Sequence, residues 1–460
     1  MSIKSDECKK FEPFRYKTLN DLREKLKDLN IDMQFEKNVE YCKQPLTIGH
    51  LIVPNRLSIQ PMEGFDATET GSPTKLTERR YLRYATGGAG LIWFEATALD
   101  HNCKSNPHQL VLTNNNLDEY RVLISKIKKQ SLKTINNLGF SERCVLILQL
   151  NHSGRYVKRN GVKYPIRAFH DSKLDRAIGI SKEDGILISD KELEELEDLW
   201  VKKALLAKEA GFDGVDIKAC HGYLISELFC SRKRENSVNG GESLENRTRI
   251  YFNIIKKLSE KLEKSKKFII TTRLGIYNGR PYPYGFGIEE SDKATFPAKI
   301  NLREPLKIIK KLSQLGIKLI NLSAGNPHYK PQITRPYDIP VKGKNQPNEH
   351  PLCSLKRLFE ITTEIKESFD PHIKIIGSGY SYLRQHSPYI CSYLLKKKHV
   401  DICGFGRMSF ANPNFPQQVF QNGKIDEKKV CITCSKCSEL MRMGKSTGCV
   451  IRDSMYKNKL

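Results

Sequence analysis

The sequence predicts an α/β fold: a (β/α)8 (TIM) barrel over residues 45–422, with a helical N-terminal extension over residues 1–44 and a cysteine-rich C-terminal tail over residues 423–460. Two observations lead to this prediction. Eight short apolar runs alternate with amphipathic stretches, as strands and helices do in such barrels. In addition, no Gly-rich dinucleotide fingerprint follows an early strand, which disfavours the alternative, a doubly wound sheet.

The N-terminal extension is polar apart from one amphipathic segment. Within Thr18–Met33, leucines recur at helical spacing at positions 19, 22, 26 and 29. This spacing predicts an accessory helix outside the main fold.

Apolar strands and periodic helices follow in order through the barrel. The predicted strands are Arg56–Gln60, Gly90–Glu95, Cys144–Leu150, Gly214–Ile217, Phe268–Arg273, Lys318–Leu322, Ile373–Ile376 and Asp401–Gly404. Helical spacing predicts helices over Asp190–Ala210, Ser243–Leu262, Leu302–Leu315, Leu352–Ser368 and Ser387–Lys398. Two long connections, Gly275–Ile300 and Ser323–Glu349, carry many aromatic residues on what would be the catalytic face. These aromatic residues could hold a flat substrate or simply pack the loops.

The net charge of +25 raises the question of a nucleic-acid partner. The lysines, however, are dispersed along predicted helices and their ends, with no block of five or more like charges. We therefore interpret the charge as solvated helix faces and do not expect a nucleic-acid partner. Part of the charge could still attract phosphorylated cofactors.

Neither a membrane segment nor a secretory signal is predicted. The chain has no run of 18 apolar residues, and its first residues lack an apolar core. We expect a cytoplasmic protein without a membrane partner, and a homo-oligomer is compatible with the sequence. The odd number of cysteines, 13, argues against a disulfide framework.

Glycine-rich turns follow the seventh and eighth predicted strands, where barrels often bind phosphate. The first turn is Gly377-Ser378-Gly379, and the second is Gly404-Phe405-Gly406-Arg407. Glycines let backbone amides approach an anion, and Arg407 can bind phosphate through paired donors. Together these turns predict a phosphorylated cofactor.

A polar cluster follows the fourth predicted strand. Lys218, His221 and Tyr223 come directly after the apolar run that ends at Ile217. Strand ends need no such residues for packing, whereas a site that binds a carbonyl oxygen and delivers a proton does. The cluster therefore predicts a catalytic site, although a salt bridge at Lys218 or a structural hydrogen bond at His221 would also account for single residues.

These motifs resemble those of the old yellow enzyme family of FMN-dependent ene-reductases, in the branch that includes bacterial 2,4-dienoyl-CoA reductase and trimethylamine dehydrogenase. The resemblance covers roughly residues 45–420. It rests on the polar cluster and on matching segments in chain order: Asn55-Arg56, Pro61–Gly64, Glu95–Ala98, Leu148–Arg155, Arg273, Gly404–Arg407 and Asn412-Pro413.

The resemblance implies an FMN site across the mouth of the barrel. Gln149 would bond the pyrimidine edge of the flavin, and Arg273 would stabilise the negative charge that reduction places near flavin N1. The other implied contacts are Pro61, Met62, Ala96, Gly377, Ser378, Gly379, Gly406 and Arg407.

The resemblance also implies reduction of a C=C bond conjugated to a carbonyl or carboxylate, with Tyr223 as proton donor and His221 as an oxygen ligand. Many relatives carry a second His where this chain has Lys218. Lysine is a compact charge rather than a neutral donor. We expect Lys218 to favour a carboxylate, a strongly polarised carbonyl or an enolate-like ligand.

Four cysteines of the tail form the pattern C-x2-C-x2-C-x11-C: Cys431, Cys434, Cys437 and Cys449. Four thiolates suit either a [4Fe–4S] cluster or zinc, and the spacing alone does not choose between them. The resembling branch carries [4Fe–4S] after its barrel, which implies the same cluster here.

The source of electrons stays open at this stage. The chain shows no dinucleotide domain after the tail, so we expect either direct reduction by NAD(P)H or an electron-donor protein. Alternative functions are an oxidative amine demethylase or dehydrogenase on the same scaffold, and a tRNA dihydrouridine synthase-like FMN barrel.

Overall fold

The computed structural model describes residues 6–262, 267–369 and 372–460, so residues 1–5 of the predicted extension lie outside it. Eight parallel strands close into a barrel in which consecutive strands pair and the last pairs with the first. They are β1 (Leu57–Ile59), β2 (Leu91–Ala98), β3 (Val145–Asn151), β4 (Gly214–Ile217), β5 (Ile269–Gly275), β6 (Leu319–Ser323), β7 (Lys374–Gly377) and β8 (Ile402–Phe405). The predicted barrel is confirmed.

One main helix follows each strand and covers the outside of the barrel. These helices are α1 (Lys75–Thr86), α2 (Leu117–Asn137), α3 (Asp190–Glu209), α4 (Leu244–Leu262), α5 (Arg303–Gln314), α6 (Pro351–Glu367), α7 (Ser387–Lys396) and α8 (Phe415–Asn422). Helix α3 begins after a capping box, in which Ser189 accepts from the Glu192 amide and Glu192 bonds back to the Ser189 amide. No helix of the described residues is long and apolar enough to cross a membrane.

The predicted boundaries agree with the structure to within a few residues. The largest shift among the strands is in β2, which continues past the predicted end at Glu95 to Ala98. The pairing of β2 with β3 shifts register between Trp93 and Ala96, and this irregularity carries the strand towards the mouth of the barrel.

A short hairpin closes the N-terminal end of the barrel. Its strands, Leu46–Ile48 and Leu51–Val53, pair antiparallel. Ile48 and Val53 pack in one buried cluster with side chains from the barrel strands: Leu91, Trp93, Val145, Ile147, Leu319, Ile376 and Ile402. This base hairpin makes the lower part of the barrel a packed core.

The N-terminal extension packs against the barrel, and its helix is an accessory element in addition to the eight strand–helix units, as predicted. The helix spans Leu19–Asp28 and begins after a capping box between Thr18 and Asp21. Its apolar side buries Leu22 and Leu26 in the main hydrophobic cluster. Burial of that leucine stripe stabilises the helix on the barrel surface.

A disulfide joins the extension to the barrel. Cys8 pairs with Cys353 at the start of α6, across 345 residues of sequence. The odd cysteine count argued against a disulfide framework, and this pair shows that an odd total does not prevent two cysteines from meeting.

The C-terminal tail lies across the C-terminal edge of the barrel. The carboxylate of Asp453 binds Arg79 and Arg83 of α1. The Thr447 amide donates to the Gly64 carbonyl at 2.6 Å, and the Asp338 amide donates to the Thr433 carbonyl at 3.2 Å. These contacts bring the tail against the loops after β1 and β6, on the face where the predicted site residues lie.

Candidate active site

The connection after β4 carries three predicted site residues to the mouth of the barrel. The Lys218 amide donates to the Leu150 carbonyl, so the chain is still held as a strand at this point. A tight turn follows, in which His221 and Gly222 both have positive φ, 67° and 76°. A Cβ atom at position 222 would lie 2.2 Å from the side-chain nitrogen Nδ2 of Asn326, so the turn requires glycine.

Lys218 and Tyr223 lie in contact. The Lys218 ammonium is 3.5 Å from the centroid of the Tyr223 ring, and the phenol donates a hydrogen bond of 3.3 Å to Glu63. Burial lowers the pKa of Lys218, and Glu63 opposes that shift. Burial raises the pKa of Tyr223 well above its usual value, and the Glu63 charge adds to it. The phenol is therefore kept protonated.

His221 points towards the end of β6. Its Nε2 lies 2.7 Å from the hydroxyl oxygen of Ser323. Burial lowers the pKa of His221 well below its usual value, and the charges of Arg273 and Lys218 add to that shift. His221 is therefore neutral near pH 7, and a neutral imidazole has one N–H that can bind an oxygen.

Two further rings form a wall beside Tyr223. Tyr156 stacks on His328 with ring centroids 3.9 Å apart, and Tyr156 meets Tyr223 edge-on at 5.5 Å. The Asn326 side chain donates to the Tyr156 hydroxyl at 2.7 Å. Burial lowers the pKa of His328 to about 3, with Arg442 and Lys218 contributing. The wall is thus neutral and flat.

An aspartate inside the barrel holds two of the predicted flavin contacts. The Gln149 side chain donates to one oxygen of Asp216 at 2.6 Å, and the Arg273 amide donates to the other at 2.6 Å. Burial raises the pKa of Asp216 to about 6. The Nε of Arg273 is buried and has no hydrogen-bond partner among the described residues. Gln149 lies beside Ala96 in the pairing of β3 with β2.

The loops after β1, β7 and β8 meet at the opposite side of the mouth. Gln60 donates to Ser378, and Ser378 donates to the Leu322 carbonyl at 2.8 Å. A Cβ at Gly406 would lie 3.0 Å from the Met62 sulfur. Pro61 precedes Met62, and Gly377 and Gly379 flank Ser378, so these predicted contacts share one region.

Two arginines in this region retain unused donors. Arg407 donates through Nη2 to the Pro336 carbonyl at 2.7 Å, whereas its Nη1 is buried and finds no partner in the part of the chain that the structure describes. The Nη1 of Arg335 is in the same condition. Burial lowers the pKa of Arg335 to about 10, and the Arg407 charge adds to that shift. Two such guanidinium groups close together fit an anion between or beside them.

The four tail cysteines line one small cavity together with Arg407 and Phe410. Cys431 is buried and accepts a hydrogen bond from the Thr433 amide at 3.4 Å, and the other three cysteines are partly exposed. No three metal-binding side chains of the described residues converge as ligands of a single ion. The sulfurs of a tetrahedral zinc site would lie about 3.8 Å apart, closer than those around a cluster of four irons.

The profile of the NADH:flavin oxidoreductase / NADH oxidase family matches residues 43–281, over half of the chain. The chain belongs to this family. It is 23% identical over 388 residues to NADH oxidase of Thermoanaerobacter brockii, covering 84% of this chain and 52% of that protein. It is likewise 23% identical over 433 residues to cinnamate reductase of Clostridium sporogenes, covering 90% of this chain and 58% of that protein. The chain thus spans about half the length of these relatives.

The fold of this chain is also found in a solved structure. The complex of 2-naphthoyl-CoA reductase with 2-naphthoyl-CoA superposes with a TM-score of 0.66 at 19% identity, over 90% of this chain and 57% of that chain. This likeness supports the barrel fold.

The residues present fit the flavin of the family. Arg273, Arg335 and Arg407 each have one buried donor without a partner within residues 6–262, 267–369 and 372–460, and an anionic cofactor would satisfy these donors. The glycines at 404 and 406 let the Gln60 and Met62 side chains pack closely against the end of β8, because a Cβ at these positions would approach them to 2.0 Å and 3.0 Å. The flavin phosphate would bind near Arg407, and the flavin ring would lie near Arg273.

Sequence reasoning missed four residues that line the mouth: Glu63, Tyr156, His328 and Arg335. Glu63 lies in the loop Pro61–Gly64, which was already identified as a flavin contact, so its carboxylate was a readable signal. The other three lie in long loops, and nothing local indicates which loop side chains turn inward.

Proposed function

We propose that the protein is an FMN-dependent oxidoreductase that reduces a C=C bond conjugated to a carbonyl or carboxylate. One observation carries this proposal: the protonated phenol of Tyr223, the neutral imidazole of His221 and the ammonium group of Lys218 lie together at the mouth of the barrel. When bound, the flavin supplies a hydride to the β-carbon of the substrate.

Each side chain of the cluster has one role in this proposal. Tyr223 delivers a proton to the α-carbon, and its raised pKa keeps that proton in place until it is needed. His221 donates its N–H to the substrate oxygen, and Lys218 stabilises the negative charge that develops there.

The proposal also assigns the flavin contacts. Arg273 and Gln149 would hold the pyrimidine side of the ring, and Ala96 would lie beside it. Arg407 and the amides around Gly377, Ser378, Gly379 and Gly406 would hold the phosphate. Pro61 and Met62 would contact the ring from the loop after β1.

The electrostatics of the mouth favour an anionic substrate over an amine. The charges of both Lys218 and Arg335 reach His221 and lower its pKa. A cationic amine would meet these two positive charges, whereas a conjugated carboxylate would be attracted. The name of one relative, cinnamate reductase, supports a flat conjugated acid. The stacked Tyr156 and His328 offer a matching surface.

We further propose that the tail holds a [4Fe–4S] cluster on Cys431, Cys434, Cys437 and Cys449. The shared cavity and the amide hydrogen bond to a cysteine sulfur support it, because such bonds tune cluster thiolates. Electrons would come from NADH, from NADPH or from a donor protein.

Anaerobic purification followed by spectroscopy and turnover tests the proposal. We expect bound flavin, four irons per chain, and reduction of cinnamate with NADH, NADPH or reduced ferredoxin as donor. Tyr223→Phe should keep the flavin and slow substrate reduction about 100-fold. A colourless protein, or a flavoprotein that oxidises amines and reduces no conjugated alkene, would contradict the proposal.

A further inference from the structure

The phenol of Tyr223 is cut off from solvent although the proposed reaction consumes its proton. The Tyr223 side chain is buried, with 4% of the residue exposed. Its ring is covered by Lys218 on one face and by Tyr156 at the edge. Each turnover therefore needs a route that returns a proton from water to this buried oxygen.

Glu63 connects the phenol to the open mouth. Its carboxylate is the side-chain hydrogen-bond partner of the Tyr223 hydroxyl among the described residues. Unlike Tyr223, Glu63 is partly exposed. Glu63 thus contacts the buried phenol while part of the residue is open to solvent, as a proton carrier requires.

The position of Glu63 is fixed from two sides. Its second oxygen accepts a hydrogen bond of 3.4 Å from the Gln109 side chain. Gln109 is itself held, because it donates to the Ala96 carbonyl at 2.8 Å and accepts from the Ser105 amide at 2.8 Å. On the other side, the charge of Lys218 faces the carboxylate and stabilises its ionised form.

We propose that Glu63 is a positioning residue that relays protons from solvent to Tyr223, an inference that rests on the proposed alkene reduction. The Tyr223 O–H bond breaks as the α-carbon C–H bond forms, and this leaves a phenolate. The carboxylic acid of Glu63 then gives its proton to the phenolate, and the resulting carboxylate takes a proton from water. Lys218 stabilises whichever oxygen carries the negative charge.

Several charged or titratable groups act on this pair and set its pH dependence. Burial raises the pKa of Glu63, and the opposing effect comes from Lys218 and Tyr223. The groups that act on Lys218 and Tyr223 in turn are Tyr156, Asp216, Cys220 and Arg273. A raised carboxyl pKa makes the acid form available closer to neutral pH, and the relay should fail as pH rises beyond that pKa.

The test is Glu63→Gln in the FMN-loaded full chain, which keeps the shape of the side chain but carries no acidic proton. We expect cinnamate reduction to slow 10- to 100-fold and to lose its alkaline pH limb, while the variant still binds flavin. Glu63→Asp should recover part of the rate. The matched control is Glu69→Gln, which removes an exposed carboxylate from the same loop region.

Two further measurements separate the relay from a structural role and from the proposed function itself. In a Tyr223→Phe background, Glu63→Gln should cause no additional loss, because the relay has no acceptor left. In the protein without substrate, 13C-tyrosine NMR should show the Tyr223 phenol titrating at lower pH in Glu63→Gln, since a charge that raises its pKa is gone.

The outcomes are distinct. An unchanged alkene rate and pH profile in Glu63→Gln, or a full additional loss in the Tyr223→Phe background, overturns the relay alone. A wild-type protein that loads flavin but reduces no conjugated alkene overturns the proposed function, and the relay with it, even where the NMR coupling is present.

Discussion

The ammonium group of Lys218 lies 3.5 Å from the centroid of the Tyr223 ring, and its charge acts on whatever enters the mouth of the barrel. In water such a charge would be screened, but Lys218 is only 4% exposed. Coulomb energies are several times larger in such surroundings than in bulk water. One side chain can therefore bias the choice between neutral and anionic substrates.

Lys218→His should reduce that bias. We expect kcat/KM for cinnamate to fall about tenfold relative to kcat/KM for a neutral enone of similar shape, because the attraction for the carboxylate is lost. Parallel steady-state assays of both substrates measure the ratio. Lys158→His is the control, since Lys158 adds to the positive charge near His328 without contacting Tyr223. An unchanged ratio would exclude Lys218 as the source of discrimination.

Arg407→Gln should weaken flavin binding. Removing a charge-assisted bond to phosphate costs about 1.5–3 kcal/mol, or roughly 10- to 100-fold in Kd. Quenching of flavin fluorescence during reconstitution of the apoprotein measures the Kd. Arg121→Gln, on the exposed surface of α2, should bind flavin as the wild type does. Equal affinity in Arg407→Gln would place the phosphate elsewhere.

At the scale of elements, strand and helix positions were readable from the sequence because apolar runs and helical periodicity act locally. Strand β4, Gly214–Ile217, was predicted with its observed ends. The extension of β2 to Ala98 was not, because a register shift depends on the neighbouring strand. The same limit applies to the docked N-terminal helix: its leucine stripe predicts a buried face but not which surface buries it.

Part of the candidate site could likewise be predicted from the sequence, and part could not. Lys218, His221 and Tyr223 share one short segment, so their grouping could be predicted from position alone. The carboxylate of Glu63 comes from the loop after β1, and the rings of Tyr156 and His328 come from two other loops. Only closure of the barrel brings these segments together, and no local pattern encodes that contact.

The link between the tail and α1 depends on Asp453, which binds two arginines and is itself buried. Although burial opposes the shift, Arg79 and Arg83 lower the pKa of Asp453. This carboxylate therefore adds stability at pH values above its unfolded pKa, near 3.9, and that stability is lost as pH falls through its folded pKa.

Asp453→Asn should loosen the tail by about 1–3 kcal/mol, because both arginines are partly solvated and so the loss is smaller than for a fully buried pair. Limited proteolysis at pH 7 should cleave the tail faster in this variant, and the difference should shrink on acidification. Asp426→Asn, in an exposed turn of the tail, is the control. Equal cleavage rates would show that other contacts hold the tail.

Considered as a whole, the molecule is joined at both ends to its barrel, covalently at the N-terminal side. A disulfide across 345 residues restricts a large loop of the unfolded chain and stabilises the fold by up to about 5 kcal/mol. Cytoplasmic proteins seldom keep such bonds. Whether the thiols are paired is thus open to direct measurement.

Thiol titration with and without reductant should detect this pair. We expect the reduced protein to unfold at a lower urea concentration, and Cys8→Ser to unfold at that same concentration whether or not reductant is present. Cys42→Ser, at a buried free cysteine, serves as the control for loss of a thiol. A wild-type midpoint that is insensitive to reductant would show that the bond contributes nothing to stability.

The base hairpin limits how substrates can enter and leave the barrel. Ile48 and Val53 seal the lower end together with Trp93, so among the described residues the barrel offers no passage from below. A nicotinamide donor and an alkene acceptor would then bind in turn through the same entrance, and each would leave before the other binds. An excess of either compound should slow turnover because it keeps the other from binding. Raising the concentrations of both compounds in a fixed ratio should not relieve this inhibition.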